Sequence, residues 1–339
     1  MEYSYTKKTL LRYLSEDART STTTLSKNAH CSRNTVVSNI KMLEKDFKIQ
    51  YLIDFNKDKL GLSQKHILKI KFGSKPLIND IKNIVLNDNM IKFAAITKGD
   101  FDLILYAEGD SGYNYMKWET ALIASKLSCY SPVVRPSQLA MTHIGFMPLT
   151  NEMLKDVNFS ELGLDNTDRD IILILNTNSR ISYSDIARIL GITEDKVRYR
   201  FKRIKSSGII DRFTIALTIP PTSYNLAIFV NYRFTSGTDK RAKKARANYI
   251  NIDGNMPLIN KFQFLAPISG SYRFFMLGCF DDKKDAYTNG ILKHKEAFRE
   301  DKPSISHAKI EQVIKGYIPV RNIDIAKDYK VVEWTDNTE

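Results

Sequence analysis

The chain has little cysteine. Cys31, Cys129 and Cys279 are odd in number, far apart and never part of a C-x-x-C pair. That excludes a disulfide framework, argues against a zinc knuckle and fits a reducing cytoplasm. No apolar run approaches the length that a bilayer-spanning helix needs. The opening MEYSYTKKTLL has no apolar signal-peptide core. Only the polar residues 335–339 are biased enough to read as disordered. Phosphate loops of the G-x-x-x-x-G-K-[ST] type, H-E-x-x-H zinc helices and G-x-S-x-G elbows are absent too. The sequence therefore points to no catalytic residue, no metal and no prosthetic group. The adjacent acids Asp281 and Asp282 read as caps of the helix after them.

What is present is positive charge. The 339 residues carry 51 lysines and arginines against 38 acids, a net +13. The length suffices for two or more domains. The charge favours a polyanionic partner, without separating nucleic acid from an anionic membrane surface.

The most informative stretch is residues 180–217, RISYSDIARILGITEDKVRYRFKRIKSSGIIDRFTIAL. It predicts two short helices, a tight turn and a β segment. Ser182 and Thr193 are placed to cap the helices, with Glu194 and Asp195 suiting the positive end of the second. Gly191 sits at the sharp turn, where positive φ is needed. In the second helix Val197, Phe201 and Ile204 form an inward stripe. Lys196, Tyr199, Arg200 and Arg203 fall on another face, flanked by Arg198, Lys202 and Lys205. The bland reading is a surface helix whose charges meet water. The capped helix and glycine turn before it favour a recognition helix in the DNA major groove. The first four residues then meet base edges, and the flanking three meet phosphates.

The same unit is written twice. At an offset of 161 (180 − 19), Arg19 matches Arg180 and Ser21 matches Ser182. Leu10, Leu11 and Leu14 match Ile171, Ile172 and Leu175, and Val36, Ile40 and Leu43 match the inward stripe. Such register is an internal repeat. The outward face has diverged to Thr35, Ser38, Asn39 and Met42. Arg33, Asn34, Ser38, Asn39 and Lys41 are the weaker DNA-contact candidates of this first copy. His30 replaces the turn glycine, which predicts a looser or differently shaped turn; with Cys31 it makes half a metal site at most.

Short strands, residues 49–55 and 209–217, follow the two units. Each is succeeded by alternating and amphipathic segments in the order βαββαβ. In the second copy these include a basic helix at 239–251 and a last helix at 283–300. The fold class expected is α+β: two winged helix-turn-helix heads and two ferredoxin-like sandwiches in tandem. The domains are 1–55 (first head), 56–147 (first sandwich), 148–163 (linker), 164–218 (second head), 219–320 (second sandwich) and 321–339 (tail). Within the tail, residues 323–334 can add an edge strand.

Three stretches, SYSDIARILGITEDKVRYRFKRIKSSGII, IQYLIDFNKDKLGL and ITKGDFDLILYAEGD, resemble the Lrp/AsnC (feast/famine) transcription regulators of bacteria and archaea, here of the archaeal type. They correspond to the DNA-reading head, the hinge strand and a turn of the effector-binding sandwich, also called the RAM domain. The resemblance implies a sequence-specific regulator that binds double-stranded DNA through a covalent pseudo-dimer of heads. It also implies self-association beyond that pair, and no membrane. It places an amino-acid-like effector near Gly99, Phe101 and Asp102, and near Gly270 and Tyr272, although Arg273 stands where a second aspartate is expected. Asp102 can equally do no more than pin its own turn. Two rival readings stay open. One is an enzyme, since tandem proteins of this layout include sirohaem decarboxylases; the scattered His30, His66, His143, His294 and His307 speak against it. The other is a weakly DNA-binding oligomerisation scaffold.

Overall fold

The computed structural model describes residues 5–139, 149, 151, 154, 157–217, 224–233, 262–316 and 318–319. The expected helix at 239–251, the tail segment 323–334 and His143 lie outside them. The first head consists of α1 (Tyr5–Glu16), α2 (Thr22–Asn28) and α3 (Arg33–Phe47), followed by β1 (Ile49–Phe55). Ser21 and Ser32 start α2 and α3, each hydroxyl accepting a backbone N–H three residues on, at 3.1 Å. Then come β2 (Gln64–Phe72), α4 (Ile78–Leu86), β3 (Ile91–Gly99), β4 (Leu103–Gly109), α5 (Gly112–Ala121) and β5 (Pro132–Leu139). Among the described residues of the linker, Phe159–Leu162 form a 3₁₀ turn. The second head is α6 (Asn166–Thr177), α7 (Tyr183–Leu190), α8 (Glu194–Ser206) and β6 (Ile210–Leu217). After it lie β7 (Tyr224–Asn231), β8 (Phe262–Gly270), β9 (Phe274–Phe280), β10 (Ser304–Lys315) and the short β11 (Ile318–Pro319). The helix expected at 283–300 is built in pieces, with a π-helical stretch Ala286–Leu292 at its centre. Asp282 caps it, accepting from the Asp285 N–H at 2.8 Å.

The two sandwiches are not separate. Within each half the strands keep the ferredoxin-like order, β3-β4-β2-β5 and β8-β9-β7-β10, but all eight close into a single barrel. The last strand of each half pairs with the second strand of the other, β5 with β8 and β10 with β3. Closure removes the edge strands that two open sheets would expose. One face of each sheet packs under its own helices. The other faces share one core, in which Phe93, Phe101, Phe229 and Phe275 are fully buried. The two seams match. Gly99 (φ +152°) faces Ala308 and Gly270 (φ +125°) faces Ser137. A Cβ on Gly99 would meet the His307 carbonyl oxygen at 2.7 Å, and one on Gly270 the Pro136 oxygen at 2.9 Å. These glycines let strand backbones cross where a side chain would not fit.

The heads are joined in the same reciprocal way. β1 and β6 pair antiparallel with each other, Ile53 opposite Phe213. α1 packs on β6 and α6 on β1, so each leading helix lies against the other head's strand. Arg19 donates through Nη1 to the carbonyl oxygens of Ser179 and Ile181, the second at 3.1 Å. Its counterpart Arg180 donates to that of Ala18 at 2.6 Å. The Arg19 guanidinium also lies 4.9 Å from the Tyr183 ring and 5.1 Å from the Phe201 ring. Leu10, Leu14, Val36 and Leu43 belong to one buried core with Ile171, Leu175, Val197 and Ile204. Below the heads, Lys57 follows β1 and makes a fully buried 3.0 Å ion pair with Glu108 of β4, which also accepts the Tyr106 hydroxyl at 2.7 Å. That pair fastens the head platform to the barrel.

Arg19→Ala removes a charged donor from two carbonyls of the opposite head. It is expected to cost about 2 kcal/mol in urea unfolding. Arg12→Ala, which breaks only the exposed pair with Glu16, is expected to cost under about 1 kcal/mol.

Candidate nucleic-acid interface

α7 and α8 form the expected helix-turn-helix. Ser182 caps α7 by accepting the Asp185 N–H at 3.0 Å, and Thr193 caps α8 by accepting that of Lys196 at 3.3 Å. Between them Gly191 takes φ +64°, and the Ile192 N–H reaches back to the Ala187 oxygen at 3.0 Å. In the first head His30 adopts nearly the same left-handed conformation, φ +50°, and Cys31 repeats the bond to Ser26 at 3.1 Å. The differently shaped first turn is thus corrected. The modest cost of a left-handed histidine is offset by the turn's hydrogen bond.

Val197, Phe201 and Ile204 face inward as expected, and so do Val36, Ile40 and Leu43. The basic residues of α8 do not share one fate. Lys196, Lys202 and Lys205 are exposed, and Tyr199 is 69 % exposed. Arg198 is exposed but pairs with Glu194 one turn back, its Nε 3.0 Å from the carboxylate, and lies over the Tyr183 ring. Arg200 is only 15 % exposed. Its Nη1 donates to both oxygens of Asp165, at 2.6 and 2.8 Å, and to Asp168 at 3.0 Å. Arg203 joins the same two carboxylates at 3.3–3.4 Å and donates to the Gly163 carbonyl. The expectation that Arg200 and Arg203 meet base edges therefore conflicts with the geometry. They fasten α8 to the N-terminal turn of α6, where Asp165 is the N-cap and Asp168 is fully buried.

The sequence held a signal for this. Val197, Arg200, Phe201 and Ile204 complete an i, i+3, i+4, i+7 inner stripe, and two acids three apart open α6. In the first head Arg33, Asn34, Ser38 and Lys41 are exposed and Asn39 is half-buried.

The candidate effector residues are engaged otherwise. Phe101 is fully buried in the barrel core, and Tyr272 packs against it. The Asp102 carboxylate accepts the Phe72 N–H at 2.9 Å and pairs with Lys71 at 2.9 Å, so it pins its turn. Gly99 and Gly270 are the barrel seams. A cavity of about 840 Å³ opens elsewhere, among the turn after β1, the barrel and the linker. Leu62, Met90, Lys92, Glu108, Leu149 and Glu161 help line it. Burial lowers the Lys92 amine to about 8. Among the described residues the histidines are dispersed. His66 stacks on Tyr115, His294 bonds the Tyr232 hydroxyl at 2.6 Å, and His307 lies 3.8 Å from Asp100. Burial lowers His66 and His294 to about 4.

No helix among the described residues is long and apolar enough to cross a membrane.

Arg200→Ala strips buried Asp168 of a donor and is expected to cost about 3 kcal/mol in urea unfolding. Hydrogen bonding from Arg200 holds the Asp165 carboxyl down to about 2. Its stabilisation is complete above the unfolded value of roughly 4 and is lost as pH falls toward 2. Wild type is expected to lose more stability between pH 4 and pH 2 than Asp165→Asn does, read from urea midpoints.

With this geometry in place, the chain can be set beside known proteins. The AsnC-type helix-turn-helix domain profile matches residues 164–205, the second head. The HTH-type transcriptional regulator FL11 of Pyrococcus furiosus is 25 % identical over 140 residues, covering 39 % of this chain and 93 % of that protein. The regulator LrpA of Pyrococcus abyssi is 35 % identical over 81 residues, 24 % of this chain and 53 % of its own length. Among solved structures, the siroheme decarboxylase NirDL shares the fold over 93 % of this chain and 94 % of its own, with a TM-score of 0.55 and 11 % identity. The second head is thus similar to the AsnC-type helix-turn-helix domain, and about two fifths of the chain is similar to these archaeal transcriptional regulators.

Proposed function

We propose that the chain is a transcription regulator that binds double-stranded DNA with two unlike heads on one rigid platform. The observation that carries this reading is the pair of capped recognition helices, α3 and α8, whose inner faces share one core and whose outer faces are exposed. A relative of nearly full length covers about two fifths of this chain. That supports reading the chain as two regulator subunits fused head to head and half-barrel to half-barrel. Such a fusion suits an asymmetric operator, because the two reading surfaces differ. The likeness to NirDL is one of fold alone and carries no chemistry. Among the described residues His66, His294 and His307 are engaged separately, which gives a decarboxylase reading no convergent histidine site.

Lys202 and Lys205 are the clearest phosphate contacts on α8. The Lys202→Ala/Lys205→Ala double variant is expected to bind duplex more weakly and to lessen the slope of log affinity against log salt by about 2. Gel shifts between 50 and 300 mM salt measure it. An unchanged slope removes α8 from the interface.

An effector, if the regulator uses one, belongs in the cavity beside Lys92 rather than at the barrel seams. Its carboxylate would pair with the Lys92 ammonium, and an apolar side chain would lie on Met90, Leu62 and Leu149. Thermal shifts with a panel of amino acids are expected to show stabilisation of about 2.7 kcal/mol at a hundred times Kd. Met90→Trp is expected to abolish the shift. Binding is expected to weaken above pH 8, where Lys92 loses its charge.

A further inference from the structure

The outward stripes of the two recognition helices carry opposite chemistry at the end that enters the groove. On α3 the stripe runs Arg33, Asn34, Val37, Ser38, Lys41, Met42. On α8 the matching stripe runs Glu194, Asp195, Arg198, Tyr199, Lys202, Arg203. The N-terminal turn of a recognition helix is the part that meets base edges. In α8 that turn holds two carboxylates, and in α3 it holds none. Asp195 and Glu194 suit the helix dipole, but they repel phosphates on either side of the groove.

Donor availability divides the same way. All three α8 arginines are committed within the protein: Arg198 to Glu194, Arg200 and Arg203 to Asp165 and Asp168. What α8 leaves exposed toward DNA is Tyr199 and lysine, and lysine is a flexible point charge that suits phosphate and discriminates poorly between bases. Among the described residues Arg33 makes no ion pair or side-chain hydrogen bond, and its neighbour Asn34 is exposed with it. A guanidinium matches guanine O6 and N7, and a carboxamide matches adenine N6 and N7. One turn on, Val37 is 41 % exposed, and more than a turn beyond it Met42 is 46 % exposed, on a head whose other large apolar side chains are mostly buried. A branched methyl pair at this place fits the C5-methyl group of thymine.

We propose that base readout resides in the first head, through Arg33, Asn34 and Val37, and that the second head is a sequence-indifferent phosphate clamp. This reverses the weighting that charge alone suggested, because charge on α8 is spent inside the protein. The inference rests on the DNA-binding reading above.

The test uses the full chain and a randomised duplex pool. Wild type is expected to select a motif concentrated in one half-site. Arg33→Ala is expected to lose about tenfold discrimination at one guanine position. Val37→Ala is expected to lose its preference at a neighbouring thymine. Replacing that thymine by 2′-deoxyuridine removes only the methyl group and leaves the protein untouched. It is expected to weaken wild type severalfold and to leave Val37→Ala unaffected. The Lys202→Ala/Lys205→Ala variant is expected to keep the selected motif while its affinity falls evenly across sequences. A motif that survives the first-head variants and is lost with the second-head change overturns the proposal. So does duplex binding with no selected motif. No binding of any duplex by wild type overturns the DNA-binding reading itself.

Discussion

Two arginines at equivalent places in the two heads reach across to each other's loops, and the arrangement of the reading surfaces depends on them. Arg19 donates to two backbone carbonyls of the opposite head and Arg180 to one, while each guanidinium carbon lies 4.9–5.3 Å from the centre of an aromatic ring there. Guanidinium suits this because its fixed fork bonds carbonyls while its face stacks, which an ammonium cannot do. The β1–β6 ribbon supplies the second tie, and the shared apolar core the third. With all three present, the separation of α3 and α8 is set by the protein before any duplex arrives.

Below this platform the barrel repeats the principle of exchange. Each half completes the other's sheet, and two glycines at positive φ make the crossings possible. The buried Lys57–Glu108 pair carries the head platform onto the barrel. Lys59, two residues on, donates to the Ser207 carbonyl at the end of α8 at 2.5 Å. The turn after β1 therefore touches both the barrel and the distant recognition helix, and the cavity beside Lys92 lies at its side.

What was legible in the sequence was local. Caps at Ser21, Ser32, Ser182 and Thr193, the left-handed Gly191 and the stripe Val197, Phe201, Ile204 depend on neighbours a few residues away. Periodicity reports such neighbours directly. The repeat of Arg19 at Arg180 was visible as well, but not its meaning, because the exchange between heads joins residues roughly 160 apart. The closed barrel escaped for the same reason: a strand's alternation says which face is buried and not which strand lies beside it. At the site, helical geometry put Arg200 among the outward basic residues. Its place on the edge of the inner stripe and the acids at Asp165 and Asp168 decided otherwise. Counting charge overstated α8, since salt bridges withdraw arginines that composition counts as available.

The crossed docking of α1 onto β6 also sets an order of events during synthesis. Residues 5–55 leave the ribosome long before Ser179, Phe213 and the rest of their partner surface exist. Until then Arg19 has no carbonyls to meet and β1 has no neighbouring strand. The first head must wait, partly assembled, through the translation of the whole first half-barrel, which itself lacks β8 and β10. Long-range pairing of this kind slows folding and prolongs exposure of unpaired strands. A nascent chain of this design therefore has a long interval in which chaperone capture competes with self-assembly.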